Sequence, residues 1–227
     1  MSNILSVENI NTFYGDSHIL HDTTLSVSEG EVVAVLGRNG VGKTTTLRSI
    51  LGHTPPESGQ VKFRDKNITG YPPNKTANLG IGWVPEDRRI FPSLTVEQNL
   101  ELAMRGDSRL SEAYEYFPKL NELSESMGRQ LSGGEQQMLA IARGLLGNFE
   151  LLLIDEPTEG LAPLIVDDVV DALKNIKQEV TILLVEQNVE MVSTIADRIY
   201  MMEKGEIVAE TRDLEEDSEL IDRHLKV

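Results

Sequence analysis

Three stretches of this sequence carry residue types at spacings that suit phosphate chemistry. The first is Gly37-Arg38-Asn39-Gly40-Val41-Gly42-Lys43-Thr44, followed directly by Thr45. It has the form G-x-x-x-x-G-K-[ST], in which glycines free the backbone to aim successive N–H groups at one anion. A helix beginning behind the loop adds partial positive charge. Lys43 is expected to reach the β- and γ-phosphates, and the Thr44 hydroxyl to ligand Mg²⁺. The second stretch is Leu151-Leu152-Leu153-Ile154-Asp155-Glu156, an apolar run tipped by two carboxylates. Beside a phosphate loop, Asp155 can hold Mg²⁺ and Glu156 can orient a water for in-line attack on the terminal phosphate. The third is Leu131-Ser132-Gly133-Gly134-Glu135, which opens a helical pattern. Its serine and exposed N–H groups form a second anion site at a helix start. Two such sites in a chain with one phosphate loop suggest that the second serves a neighbour's nucleotide.

Each of these needs a scaffold. Val32-Val33-Ala34-Val35-Leu36 reads as the strand entering the loop, and Thr45 to Leu51 as the helix leaving it. The run 151–154 and Val180 to Val185 are apolar without alternation, as in parallel strands covered on both faces. Ile4 to Ile10 alternates and reads as a strand, Asn11 to Asp16 as a turn with two aromatics, and Leu25 to Val27 as further β structure. Gln60–Phe63 and Ile81–Val84 are β-type runs. After Glu86 the character changes. Thr95-Val96-Glu97-Gln98 has capping-box form, and Val96, Leu100, Ala103 and Met104 then fall on one helical face. Residues 109–127 are helical in pattern with a break at Pro118, and β-type runs are absent from 87 to 130. Arg198 to Glu210 reads as two short strands split by Lys204-Gly205, with an acidic helical tail beyond.

Composition narrows the class. The chain has 227 residues, is 40% hydrophobic, and contains no cysteine, which excludes disulfides, thiolate metal sites and a cysteine nucleophile. Its formal charge of −16 argues against nucleic acid as a ligand, since duplex binding wants a basic surface. No apolar run approaches the ~18 residues that span a bilayer. The expectation is a soluble protein without a signal peptide.

With the phosphate loop, the Leu-Ser-Gly-Gly-Glu-Gln-Gln stretch and the acid-tipped strand together, the sequence resembles the ATP-binding cassette ATPases over essentially its whole length. That resemblance implies an α/β P-loop NTPase core of the RecA-like type, an N-terminal antiparallel β subdomain and an inserted α-helical subdomain. The expected division of the single 1–227 domain is 1–86 and 144–227 for the core and 87–143 for the signature subdomain. It also implies ATP and Mg²⁺ as ligands, and a head-to-tail dimer with a second such ATPase subunit. There ATP lies between one subunit's loop (residues 37–45) and the other's signature (residues 131–135). By the same resemblance Tyr14 stacks on adenine, and the protein sits at the cytoplasmic face of the membrane on transmembrane permease subunits, served indirectly by an extracytoplasmic solute receptor.

Three departures from the commonest family pattern narrow it further. Glu86 stands where glutamine is usual, Glu159-Gly160-Leu161-Ala162-Pro163 where an aspartate loop is usual, and Gln187 where a histidine is usual. With Arg88-Arg89-Ile90-Phe91, these are similar to the paired ATPases of branched-chain amino-acid uptake, the partner with glutamine at the switch position. Urea-uptake ATPases share the pattern, and a single-cassette assembly ATPase of the iron–sulfur scaffold type is a further alternative. Gln187 can donate to the γ-phosphate without titrating, so it is expected to act as a sensor beside the catalytic Lys43 and Glu156. Glu86 is a candidate Mg²⁺ ligand with Thr44 and Asp155. Arg88, Arg89 and Phe91 lie where the resemblance expects permease loops to touch.

Overall fold

The computed structural model describes residues 2–177, 179–214 and 216–217. The chain opens with β1 (Asn3–Tyr14), β2 (Ser17–Ser28) and β3 (Val32–Leu36), then α1 (Lys43–Leu51), β4 (Ser58–Phe63), β5 (Lys66–Asn67), α2 (Pro73–Asn78) and β6 (Ile81–Val84). A helical stretch follows: α3 (Val96–Glu101), α4 (Leu110–Tyr116), α5 (Pro118–Glu122) and α6 (Gly133–Leu146). The remainder is β7 (Leu151–Asp155), α7 (Pro163–Ile176), β8 (Thr181–Glu186), α8 (Val189–Ile195), β9 (Arg198–Glu203) and β10 (Glu206–Thr211). Two sheets result, an antiparallel one in the order β2-β1-β4-β5 and a mainly parallel one in the order β10-β9-β3-β8-β7-β6.

The apolar strands explain how the layers stack. All five residues of β3 and of β7 are buried, as are all six of β8. Side chains alternate across a strand, and here the alternation feeds two cores. Val33, Val35, Leu151, Leu153, Leu183 and Val185 join the core shared with the antiparallel sheet and α1. Val32, Leu36, Leu152, Ile154, Ile182 and Leu184 join the core shared with the helices. A strand buried on both faces has no solvent side to mark, which is why its sequence shows no polar alternation.

The helical stretch forms as its caps dictate. Thr95 accepts from the Gln98 N–H while the Gln98 side chain accepts from the Thr95 N–H, and Pro118 occupies the first turn of α5. Between β6 and β7 there is no named strand among the described residues. α6 runs unbroken through the expected boundary at 143/144. α3 is shorter than the sequence pattern suggests: it closes at Leu102, and Met104 lies at the surface.

One sequence expectation is corrected. Residues 11–14 are not a turn but the end of β1, pairing across to β2 as far as Tyr14 opposite Ser17. Only Gly15-Asp16 turns, with Gly15 at φ 56°. Polar Thr12 faces inward, where its hydroxyl meets that of Ser49 in α1 at 2.9 Å, and Phe13 stacks on His18 of the opposite strand with centroids 4.1 Å apart. The acidic tail expected to be helical lies, from residue 218 onward, outside the described residues.

At the edge of the parallel sheet, the Phe149 ring fills a slot that two glycines make. A Cβ on Gly82 of β6 would come 2.2 Å from it, and one on Gly147 after α6 2.1 Å. No helix among the described residues is long and apolar enough to cross a membrane.

Candidate nucleotide site

The site forms along the carboxyl edge of the parallel strands, where β3, β8, β7 and β6 deliver their loops side by side. β3 ends in the loop 37–42 and α1 starts at once, capped by Gly42 at φ 117°. That backbone conformation is closed to a residue with a Cβ, and Leu20 and Gly205 also press close to the position. The Thr46 N–H donates to Gly42 O at 2.9 Å, which begins the helix ladder.

Lys43 is 3% exposed and folds its ammonium back into the loop. It donates to Gly37 O at 2.9 Å and Arg38 O at 3.1 Å, with Asn39 Oδ1 at 3.4 Å. It also pairs with Glu156 Oε1 at 2.9 Å. Next to it the Thr44 hydroxyl donates to Asp155 Oδ1 at 2.9 Å. Residues 111 positions apart in the chain are thereby joined, and the expected Mg²⁺ ligands and the expected water-orienting carboxylate share one corner.

Asp155 is 1% exposed, and burial pushes its carboxyl up to about 6; the Thr44 hydroxyl pulls the other way, while the charges of Glu156 and Glu86 add to the rise. A group raised mainly by desolvation and like charge gains from a nearby cation. The donor set, a hydroxyl and a carboxylate, is the hard-oxygen kind that suits Mg²⁺. Among the described residues no cluster of three or more His, Cys, Asp or Glu could hold a metal by itself. Mg²⁺ needs none, since it is held by one or two carboxylates plus phosphate oxygens and waters.

Glu156 adopts φ 45°, a left-handed conformation uncommon for a side chain of its kind. Its N–H donates to Val185 O at 3.0 Å, which pins the turn. Its second oxygen, Oε2, is buried and has no donor among the described residues. Glu159 stands against Glu156, and that neighbour, with some burial and the charges of Glu86 and Glu186, lifts its carboxyl to about 7.

The other expected residues are placed as follows. Glu86 follows β6 and Gln187 follows β8, both exposed on the same edge as the loop. Tyr14 is 42% exposed at the end of β1, its hydroxyl 3.4 Å from that of Thr54. Ser132 caps α6 in a full capping box: its hydroxyl and N–H both donate to Glu135 Oε2, at 2.8 and 2.7 Å. Leu131 is buried beneath it, Gly133 is exposed, and Gly134 packs against Ile165 of α7. No hydrogen bond or ion pair among the described residues links 131–135 to the phosphate loop.

Glu186 and the inward turn of Arg88 escaped sequence reasoning. Glu186, 1% exposed at the tip of β8, accepts hydrogen bonds from Thr158, Gln187 and Asn188. Its signal was legible: like Asp155 it ends an apolar strand. Arg88, at φ 61°, turns towards the signature helix and donates to Gln137 Oε1 at 3.1 Å, which no spacing forecasts. Beside it runs a groove of about 300 Å³ lined by Arg88, Arg89, Arg105, Arg143, Trp83 and Phe149 among others. Arg89 lies over Trp83, Arg105 over Phe149 and Arg143 over Phe91. None of the residues lining it is acidic, on a chain of charge −16.

Residues 20–159 match the model of a family described as ABC transporter. The chain is 40% identical to the high-affinity branched-chain amino acid transport ATP-binding protein BraG of Pseudomonas aeruginosa, over 90% of this chain and 91% of that protein. It is 36% identical to the probable branched-chain amino acid transport ATP-binding protein LivF of Archaeoglobus fulgidus, over 90% of each. It is also 33% identical to the lipopolysaccharide export system ATP-binding protein LptB of Escherichia coli, over 90% of this chain and 89% of that one. Among solved structures it resembles the ATP-binding cassette MJ0796, determined as a dimer in a post-hydrolysis state bound to ADP and Pi. The TM-score is 0.80 at 25% identity, covering 92% of this chain and 98% of that one.

Proposed function

This chain belongs to the ABC transporter family and is its nucleotide-binding ATPase subunit, and from that premise we propose that it powers uptake of branched-chain amino acids through separate membrane permeases. The observation that carries the catalytic part is the meeting of Lys43, Thr44, Asp155 and Glu156 in one buried corner. In this reading Lys43 and the N–H groups of residues 37–45 bind the phosphates, and Tyr14 stacks on the adenine. Thr44 and Asp155, with Glu86, would hold Mg²⁺, which would supply positive charge to offset that of the phosphates. Glu156 uses Oε2 to orient a water while Oε1 stays on Lys43. The water oxygen bonds to the γ-phosphorus, the bond from that phosphorus to the β,γ-bridging oxygen breaks, and the products are ADP and inorganic phosphate. Gln187 senses the γ-phosphate through its amide.

Ser132, with the N–H groups that follow it, completes the site of a second subunit bound head to tail. Closing and opening of that dimer is a two-state cycle able to drive a partner by differential binding. The partner is a permease at the cytoplasmic face, fed from outside by a solute receptor. The arginine- and aromatic-lined groove suits a permease segment carrying carboxylates. The cargo rests on the similarity to BraG and LivF together with Glu86 and Gln187. The similarity to LptB favours a second reading in which the same engine serves another cargo.

Glu156→Gln tests the engine. The variant is expected to bind ATP, lose turnover by about 10²–10³-fold, and form a dimer with ATP and Mg²⁺ by light scattering, alone or with a sister subunit. Normal turnover, or a strictly monomeric protein under both conditions, would sink it. Coexpression with adjacent permeases should give ATP-dependent leucine uptake; uptake of urea instead would overturn the cargo.

A further inference from the structure

We propose that Glu186 is a positioning residue that fastens the Gln187 switch turn to the Glu156 turn, so that sensing and water orientation move as one body. The inference rests on the roles just proposed for Gln187 and Glu156. Glu186 is almost wholly buried, yet it takes part in none of the ion pairs among the described residues. Its oxygens are met instead by neutral donors from two different turns. Oε1 accepts from the Thr158 N–H at 3.0 Å and from the Thr158 hydroxyl. Oε2 accepts from the Gln187 N–H at 2.7 Å and the Asn188 N–H at 2.9 Å. Thr158 stands two residues beyond Glu156 and one before Glu159, so one oxygen faces the hydrolytic turn and the other the switch.

The backbone of the same residue completes a third link, because Glu186 O accepts from the Gly37 N–H of the phosphate loop at 3.1 Å. A glutamate is suited to this work by its inventory of bonds. An ionised carboxylate accepts at both oxygens, whereas the isosteric glutamine has an acceptor at one end and donors at the other. An amide here would set N–H against N–H at one of the two turns and let that turn go. Leaving buried N–H donors unmet is costly, and the left-handed Glu156 beside Thr158 needs its surroundings to hold it.

Four proteins test this: wild type, Glu186→Gln, Gln187→Ala and the double variant, each full-length and with its sister subunit where activity needs it. The measurements are ATP affinity with a fluorescent analogue, steady-state hydrolysis with Mg²⁺, and thermal unfolding. The expected result is that Glu186→Gln keeps ATP affinity and KM within about 3-fold while kcat falls about 10²-fold, the scale of a misplacement by roughly an ångström. The double variant should be slower than Gln187→Ala but by clearly less than the product of the two single losses, since residues acting through one another are not additive. Full-rate Glu186→Gln, or losses that multiply in the double variant, would overturn the proposal. If Glu186→Gln does not fold, Thr158→Val removes one donor from the opposite turn and should lower kcat alone, by about 10-fold; an unchanged kcat there overturns it equally. Wild-type protein that does not hydrolyse ATP would bring down the catalytic reading beneath; wild-type hydrolysis with an unaffected Glu186→Gln brings down this inference by itself.

Discussion

The phosphate loop and the signature turn are built from similar parts, glycines ahead of a helix with a polar side chain at its start, yet they are finished in opposite ways. Lys43 is buried, with bonds to Gly37, Arg38, Asn39 and Glu156. Ser132 is exposed, and its hydroxyl is tied to Glu135 three residues away. The first is held by three groups of its own loop and by one long-range pair, with Glu156. The second is closed by a local cap, worth about 1 kcal/mol, that an incoming anion can replace. A fixed turn and an exchangeable one are what the proposed two-copy site requires.

The sharpest way to break this comparison is Lys43→Ala. ATP affinity by calorimetry is expected to fall at least about 10²-fold, the weight of a charge-assisted bond lost from a buried site; unchanged affinity would mean that the buried half is not the primary binder. Asp155→Asn comes next, because it separates function from folding. It should stop Mg²⁺-dependent hydrolysis and yet raise Tm. The carboxyl of Asp155 sits at about 6 when folded, above its ordinary 3.8. Its ionisation therefore costs stability, fully above pH about 6 and not at all below about 4, by about 2–3 kcal/mol. In nucleotide-free, Mg²⁺-free protein the gain should be about 4–10 °C at neutral pH, shrinking as the pH is lowered through that window. A drop in Tm at neutral pH would contradict the desolvation account. The smallest effect is expected of Ser132→Ala: about 1 kcal/mol of stability, no change in ATP affinity of the single subunit, and a weaker ATP-bound dimer in the Glu156→Gln background by ultracentrifugation. An equal loss of affinity in the single subunit would erase the distinction between the halves.

What the sequence made legible follows the same divide. The strand–loop–helix around 37–44 and the strand ending at 155 were readable because such structure depends on local spacing. The buried strands were readable because apolar runs of that length have few other uses. Residues 11–14 were misread since the polar Thr12 looks like a turn residue until Ser49 of α1 comes to meet it. The convergence of Thr158 with Glu186, and the inward turn of Arg88, depend on which strands become neighbours. Chain order hides that, because β8 and β7 flank each other only after α7 has crossed between them.

The Phe149 ring seated against Gly82 and Gly147 carries a consequence for descent. A side chain at either glycine would collide with the ring, so neither can change before Phe149 has shrunk, while Phe149 can shrink first and leave a small void. Across homologous chains the three positions should therefore co-vary with a fixed historical order, the aromatic lost before either glycine. Lineages holding a bulky residue at 82 or 147 beside an intact ring should be missing.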